Sequence, residues 1–175
     1  MALRIAGGRL RSRLIECPDK GVRPTTNRVK EAIFSAIGQD LEGLKVLDLF
    51  AGSGNLGIEA LSRGARQVTF VELNRRNAAV ISRNLEKLNI KDQAEVITCP
   101  AAAFIKNCGA RFDLIFMDPP YDKDLASQTT PLVYSLLEVE GLLVVEHSPN
   151  EPIPMEAWKS RSYGDSVITY IRRSA

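Results

Sequence analysis

An acidic residue, two prolines and a tyrosine, Asp118-Pro119-Pro120-Tyr121, end an apolar run that begins at Phe112. Two successive prolines fix the backbone and donate no N–H group, so this segment presents carbonyl oxygens in a rigid array. The Asp118 carboxylate and the Pro119 carbonyl could accept both hydrogens of a planar amino group on a nucleobase, on which Tyr121 could stack. The segment therefore predicts a site that orients an exocyclic nitrogen towards an electrophilic methyl group. The alternative is a rigid strand exit in which Asp118 caps backbone N–H groups.

A glycine-rich loop follows an upstream apolar run and opens a helical pattern. Residues 52–57, GSGNLG, match G-x-G-x-x-G, and Glu72 closes the next predicted strand. Such a loop lets the backbone approach a ligand, and the carboxylate suits ribose hydroxyls. Asp48, at the end of the preceding strand, would repel a pyrophosphate and attract an ammonium group. The pattern favours S-adenosylmethionine over NAD, with a glycine-rich turn that holds no ligand as the alternative.

An alternation of strands and helices is predicted to bring these two segments to one edge of a sheet, where the ligands of parallel α/β proteins bind. The predicted strands are residues 45–50, 67–73, 94–99, 112–117 and 141–147, and the predicted helices are 27–37, 55–63, 74–88, 101–108 and 129–137. This succession predicts an α/β fold with a mostly parallel sheet and helices on both faces. Residues 157–162 and 166–172 predict a C-terminal antiparallel hairpin.

The formal net charge of +2 is unevenly distributed, because residues 1–30 carry +6 and the remainder −4. Arginine pairs with phosphate through two hydrogen bonds, so a basic arm favours a nucleic acid, although a solvated terminus stays possible. After Gly7 and Gly8, alternating basic and apolar residues predict a small strand or hairpin with a cationic face. We predict a basic N-terminal extension over residues 1–26 and a single domain over residues 27–175.

The composition of the 175-residue chain suits one compact domain. No apolar run reaches the ~18 residues of a membrane span, and the first residues lack the apolar core of a secretory signal, so we expect a cytoplasmic protein without membrane contact. Cys17, Cys99 and Cys108 form no C-x-x-C pair and are predicted to be reduced thiols. His147 is the only histidine in the sequence, and no metal site is predicted.

The segments DLFAGSGNLGIEALSRGA and FMDPPY resemble motifs of class I S-adenosylmethionine-dependent methyltransferases that act on exocyclic amino groups. The segments RIAGGRLRSR, RPTTNRVKEAIFSAI, VELN, DPPY and YGDSVITYIRR, in this order, resemble the bacterial 16S ribosomal RNA guanine-N2 methyltransferases nearly end to end. The resemblance implies a Rossmann-like fold with seven strands, the last two forming the hairpin. It also implies methylation of the N2 of a guanine in 16S rRNA, guanine 966 in the family, during small-subunit maturation.

The resemblance implies three groups of site residues. Asp118, Pro119, Pro120 and Tyr121 would hold the guanine for catalysis. The cofactor site would comprise Asp48, Phe50, Ala51, Gly52, Ser53, Gly54, Glu72, Leu73 and Ala101. RNA would contact Arg9, Arg11, Arg13, Arg23, Thr25, Thr26 and Arg28. After residues 94–99 many relatives carry an acidic residue for the adenine amino group, whereas CPAAA here offers no side-chain acceptor, so backbone groups and apolar packing would hold the adenine.

The expected partner is 16S rRNA or an assembly intermediate of the small ribosomal subunit, bound by a monomer. Two alternatives stay open. The first is an adenine-N6 DNA methyltransferase, because the Asp-Pro-Pro-Tyr motif fixes only the nitrogen chemistry, although no separate target-recognition domain is evident. The second is an RNA-binding module with a vestigial cofactor pocket, suggested by the missing acidic residue.

Overall fold

The computed structural model describes residues 2–18, 26–121 and 124–175. These residues form a two-stranded hairpin, a seven-stranded sheet and the helices that cover it. The strands are β1 (Ala2–Arg4), β2 (Leu14–Glu16), β3 (Lys45–Leu49), β4 (Gln67–Val71), β5 (Ala94–Ile97), β6 (Phe112–Met117), β7 (Leu137–His147), β8 (Lys159–Tyr163) and β9 (Ser166–Arg172). The α-helices are α1 (Asn27–Ile37), α2 (Asn55–Ser62), α3 (Arg75–Lys87), α4 (Ala101–Asn107) and α5 (Leu125–Tyr134), and Lys91–Gln93 forms a 3₁₀ turn.

The large sheet has the order β5-β4-β3-β6-β7-β9-β8. Strands β3 to β7 pair in parallel, whereas β9 is antiparallel to both β7 and β8. After β3, the chain adds β4 and β5 on one side of that strand. It then adds β6 and β7 on the other side, so the strand order reverses between β3 and β6. Such a reversal opens a crevice at the carboxyl ends of the strands. The predicted α/β fold, with its parallel sheet and C-terminal hairpin, is confirmed.

Side chains of the sheet alternate between two apolar layers, as the period of a β-strand requires. In β6, Leu114 and Phe116 pack in the layer of α1, α2 and α3. Ile115 and Met117 pack in the layer of α4 and α5. Because both faces are covered, the strands are apolar almost throughout, and the predicted helices on both faces are confirmed.

The largest boundary difference lies between α5 and β7. The helix predicted over residues 129–137 spans Leu125–Tyr134 and contains Pro131. The helix cannot continue to Leu137 because the Leu136 carbonyl accepts the Phe112 N–H at 2.8 Å, which starts the pairing of β7 with β6. Strand β7 therefore begins four residues before the predicted Gly141, and its register with β6 shifts before Leu142.

Other predicted boundaries are correct to within two residues. Helix α1 and strands β6 and β9 have the predicted limits. The predicted strands 45–50, 67–73 and 94–99 end one or two residues early, because the chain turns there to form the loops of the sheet edge. In the described part of the chain, none of the helices has the length and apolar character that crossing a bilayer demands.

The N-terminal hairpin is formed by β1 and β2, not by the stretch of alternating arginines. Ala2 pairs with Glu16, and residues 9–12 form the turn between the strands. Gly8 permits this course, because its φ is +73° and a Cβ there would lie 1.9 Å from the Ser62 carbonyl oxygen. Ile5 and Ile15 are almost completely buried in the same core layer as α1, α2 and α3. The N-terminal hairpin thus packs in the layer of α1, α2 and α3.

Candidate functional site

Phe50 and Asp118 directly follow the last residues of the neighbouring strands β3 and β6. Leu49 pairs with Met117 in the register of β3 and β6, so the next residue of each strand starts a loop at the same edge. Phe50 has a φ of 66°, a left-handed conformation that costs a bulky residue about 1–3 kcal/mol. The Ala51 N–H then donates to the Val71 carbonyl at 2.9 Å. This turn directs the glycine-rich loop across the end of β4.

Asp48 is a buried carboxylate beneath the glycine-rich loop, only 4% exposed. Its Oδ2 accepts the Gly57 N–H at 2.9 Å. Burial raises the pKa of Asp48 to about 8; the Gly57 N–H opposes this rise and the Glu72 charge adds to it. A Cβ on residue 57 would lie 2.3 Å from Cε1 of Phe70 and 3.0 Å from the carboxylate, so glycine is required here. The site thus holds a carboxylate that a bound cation would help to ionise.

Glu72 ties the glycine-rich loop to the loop after β4. Its Oε2 accepts the Gly52 N–H at 2.7 Å, and its Oε1 accepts the Asn74 N–H at 2.8 Å. Each carboxylate oxygen keeps a second lone pair, which could accept a ligand hydroxyl. The neighbouring Leu73 is 68% exposed, so an apolar surface adjoins the carboxylate.

Gly54 is the N-cap residue of α2, with a φ of 74°, and has no side chain to cap the helix, and Ser53 before it is 3% exposed. The side chain that reaches the first turn is Asp48, at the Gly57 N–H. The helix dipole makes such an end favourable for an anion. A buried carboxylate and a helix N-terminus therefore lie at the same loop, an arrangement that suits both charges of an amino-acid zwitterion.

The Asp118-Pro119-Pro120-Tyr121 segment is partly open to solvent. Asp118 is half-buried and Pro119 is buried, whereas Pro120 and Tyr121 are exposed. The Tyr121 hydroxyl donates to Oε1 of Glu146 at 3.2 Å. Burial raises the pKa of Tyr121 to about 12, and the charges of Glu146 and Asp118 add to the rise. The phenol is therefore neutral, and its ring, 40% exposed, offers a surface for a planar group.

Ala101 is the first residue of α4 and lies after the end of β5. The residue is half-buried and packs with Cys99 against the layer of α4 and α5. Pro100, the N-cap, makes no side-chain hydrogen bond to the helix. Apolar surface and backbone groups are therefore what this loop offers to a ligand.

Comparison with known proteins assigns the chain. Residues 3–172 match a protein family described as "Conserved hypothetical protein 95". The chain belongs to this family. It is 39% identical to the Ribosomal RNA small subunit methyltransferase D of Haemophilus influenzae, over 96% of this chain and 91% of that protein. It is 36% identical to the protein of that name from Escherichia coli K12, over 87% of this chain and 78% of that protein.

A solved structure has the same architecture. The yhhF protein from Escherichia coli is 32% identical, covers 100% of this chain and 99% of its own, and gives a TM-score of 0.90. The resemblance to bacterial 16S rRNA methyltransferases that the sequence indicated is therefore confirmed. The Rossmann-like methyltransferase fold is confirmed with it.

Residues expected to contact RNA lie in two separate places. Arg23 and Thr25 fall outside the described residues. Thr26 is the N-cap of α1, and its Oγ1 accepts the Val29 N–H at 3.3 Å. Exposed Arg28 lies in the first turn of α1, which runs beside the glycine-rich loop because Lys30 donates to Oδ1 of Asn55, the first residue of α2. Helix α1 thus lies against the start of α2, through Lys30 rather than through Arg28.

Arg9, Arg11 and Arg13 are exposed at the opposite end of the helical layer. The Arg9 N–H donates to the carbonyl of Ser62, the last residue of α2, and the Arg13 guanidinium donates to the carbonyl of Lys87, the last residue of α3. Helix α2 is about 12 Å long and separates this group from the glycine-rich loop. The structure therefore does not bring these arginines together with Asp118.

The sequence analysis missed two charged features. Glu59, fully buried in α2, accepts from Lys30 at 3.0 Å and from Arg63 at 2.8 Å, and from the backbone N–H groups of residues 6 and 7. This cluster attaches the N-terminal hairpin to α2, and the i,i+4 spacing of Glu59 and Arg63 was its only sequence signal. The second is Glu146, whose position at the carboxyl end of a predicted parallel strand was a signal that could have been used.

Proposed function

We propose that this protein transfers a methyl group from S-adenosylmethionine to the exocyclic N2 of a guanine in 16S rRNA during maturation of the small subunit. The observation that carries the proposal is the pairing of β3 with β6, which sets the Asp48 and glycine-loop region beside the Asp118-Pro119 carboxylate and carbonyl. A methyl donor bound at one strand end would thereby adjoin an amino-group acceptor on the other.

The residues around the glycine-rich loop fit the parts of S-adenosylmethionine, which supplies an electrophilic methyl group on sulfur. Ionised Asp48 would pair with the ammonium group, and the N–H groups that start α2, after Gly52, Ser53 and Gly54, would bind the carboxylate. Glu72 would accept the ribose hydroxyls. The adenine would lie against apolar surface that Phe50, Ala51, Leu73 and Ala101 provide.

Asp118 and Pro119 would hold the target nitrogen. Their oxygens accept the two N2 hydrogens, which raises electron density on the nitrogen and points its lone pair at the methyl carbon. Asp118 would accept the surplus N2 proton as the methyl group passes from sulfur to nitrogen. Pro120 keeps the segment rigid, and Tyr121 stacks on the base, a contact of about 1–3 kcal/mol.

The choice of RNA rests on family membership and on charge. The similar proteins of Haemophilus influenzae and Escherichia coli are named for methylation of small-subunit ribosomal RNA. The basic residues of the first thirty positions, with Arg28 on α1 and Arg9, Arg11 and Arg13 at the far end of α2, suit an RNA that extends across the protein. We propose guanine 966 as the target on the ground of the family resemblance.

The test is incubation with radiolabelled S-adenosylmethionine and one of three substrates: naked 16S rRNA, partly assembled small subunits, or duplex DNA. Label on a single guanine of the RNA or the particle is expected. Asp118→Ala should abolish labelling while calorimetry still detects binding of S-adenosylmethionine. Label on DNA adenine alone would overturn the proposal. Wild-type turnover by Asp118→Ala would overturn the role proposed for that carboxylate.

A further inference from the structure

We propose that Glu146 selects guanine over adenine, by accepting the N1–H of the target base next to the amino group held by Asp118. This inference rests on the proposed function and deepens it, because it names the residue that reads the base. Adenine presents an unprotonated N1 next to its amino group, so a carboxylate at this position repels it.

Glu146 is the penultimate residue of β7, and Asp118 directly follows the neighbouring strand β6. Met117 pairs with Val145 in the parallel register of β6 and β7, so the following residues, Asp118 and Glu146, emerge side by side at the carboxyl edge. The two carboxylates thus lie on adjacent strand ends. Guanine N1 and N2 are likewise neighbours on one edge of the base, and both carry hydrogens.

The Glu146 carboxylate has acceptor capacity that the described residues do not use. Its Oε1 accepts the Tyr121 hydroxyl at 3.2 Å, which is longer than the roughly 2.5–3.0 Å usual for an O–H donor. Its Oε2 is buried and has no hydrogen-bond partner among the residues that the structure describes. A buried acceptor without a donor is costly and is retained in proteins where a ligand or water supplies the donor.

Tyr121 connects this acceptor to the bound base. Its ring is 40% exposed and its hydroxyl holds the carboxylate through one long hydrogen bond. A base that stacks on the ring lies beside the carboxylate, and its N1–H can replace the hydroxyl as the donor to Oε1. The replacement is favourable because the contact with Tyr121 is longer than an ordinary O–H hydrogen bond.

The experiment compares guanine with 2-aminopurine at the mapped target position, in the RNA or particle that the wild type accepts. 2-Aminopurine keeps the 2-amino group but has an unprotonated N1, so it removes the proposed donor. The enzymes are the wild type, Glu146→Gln, Glu146→Asp and, as a matched control, Glu138→Gln, an exposed glutamate at the opposite end of β7. The readouts are kcat/KM for each base and the Kd of each RNA in the presence of S-adenosylhomocysteine.

Glu146→Gln should lower kcat/KM on guanine about 10- to 100-fold. Its amide N–H can donate to N1 of 2-aminopurine, so the preference for guanine should fall at least about tenfold. Glu146→Asp should lose rate and part of the preference, because it withdraws the acceptor without creating a donor, so its preference should lie between those of the wild type and Glu146→Gln. A Glu146→Gln preference within twofold of the wild type overturns the inference. If the wild type methylates no guanine at all, the proposed function itself fails.

Discussion

Asp48 accepts a hydrogen bond from the Gly57 N–H at 2.9 Å, and this contact joins the end of β3 to the first turn of α2. The carboxylate is buried and its pKa is raised to about 8, so near neutral pH the folded protein holds a proton that the unfolded chain releases. The buried Asp48 carboxylate therefore lowers the stability of the folded protein near neutral pH, and it is the group that we propose binds the cofactor ammonium.

Replacement of Asp48 by asparagine should stabilise the apoprotein and abolish cofactor binding. The folded pKa lies above the unfolded value of 3.8, so the contribution of Asp48 to stability is complete below pH 4 and is lost as the pH rises towards 8. At pH 7.5 the variant should gain about 2–4 kcal/mol in urea unfolding, because asparagine keeps an acceptor for Gly57 and cannot ionise. The gain should vanish at pH 4. Equal unfolding free energies of the variant and the wild type at pH 7.5 would contradict the raised pKa of Asp48.

Binding of S-adenosylmethionine to the wild type should release a proton below pH 8. Because Asp48 must ionise to pair with the ammonium group, the association constant should rise about tenfold for each pH unit up to about pH 8. Above that pH it should fall, as the amino group of the cofactor loses its own proton. Calorimetry in two buffers of different ionisation enthalpy measures the release. A constant affinity between pH 6 and 8 with no proton released would exclude this role.

Glu59→Gln should destabilise the protein more than Lys30→Met. Glu59 neutralises two cations and accepts two backbone N–H groups, so its loss leaves buried positive charge and should cost about 3–5 kcal/mol. Lys30→Met leaves Glu59 paired with Arg63, and burial already lowers the pKa of Lys30, so about 1–3 kcal/mol is expected. Urea unfolding of both variants measures the difference.

The control for this pair is Glu86→Gln, which removes an exposed ion pair with Lys91. Exposed pairs contribute little to stability, so this variant should unfold almost as the wild type does. An unfolding free energy for Glu59→Gln close to that of the control would show that the cluster does not fasten the N-terminal hairpin.

Charge reversal at Arg9, Arg11 and Arg13 should weaken RNA binding without slowing the chemical step. These residues lie at the far end of α2, so they can contact phosphates of a bound RNA but not the reacting base. The slope of log K against log salt should decrease by about 2–3, whereas kcat at saturating RNA stays unchanged. Arg66→Glu, at an exposed position before β4, is the matched control. An unchanged salt slope would show that this arm does not contact phosphate.

The sheet and the two loops at its carboxyl edge could be predicted because their signals are local. An apolar run that ends in glycine or in Asp118-Pro119 predicts a buried strand of a parallel sheet, with a loop at its carboxyl end. The remainder depended on tertiary packing. Lys30 adjoins the apolar stripe of α1. Its burial could not be predicted, because it depends on the distant Glu59, with which Lys30 pairs in the core. The sequence likewise does not specify which end of α2 receives Arg9, and the predicted strand 141–147 gave the position of Glu146 at the sheet edge but not its contact with Tyr121.

The position of the methyl group in the product tests the central claim most directly. Small subunits or 16S rRNA treated with the protein and S-adenosylmethionine are digested to nucleosides and analysed by chromatography and mass spectrometry against isomeric standards. A clamp of Asp118 and Pro119 on an exocyclic amino group predicts N2-methylguanosine. A product methylated at N1 or N7 of guanine would contradict the clamp, and N6-methyladenosine would contradict guanine as its target.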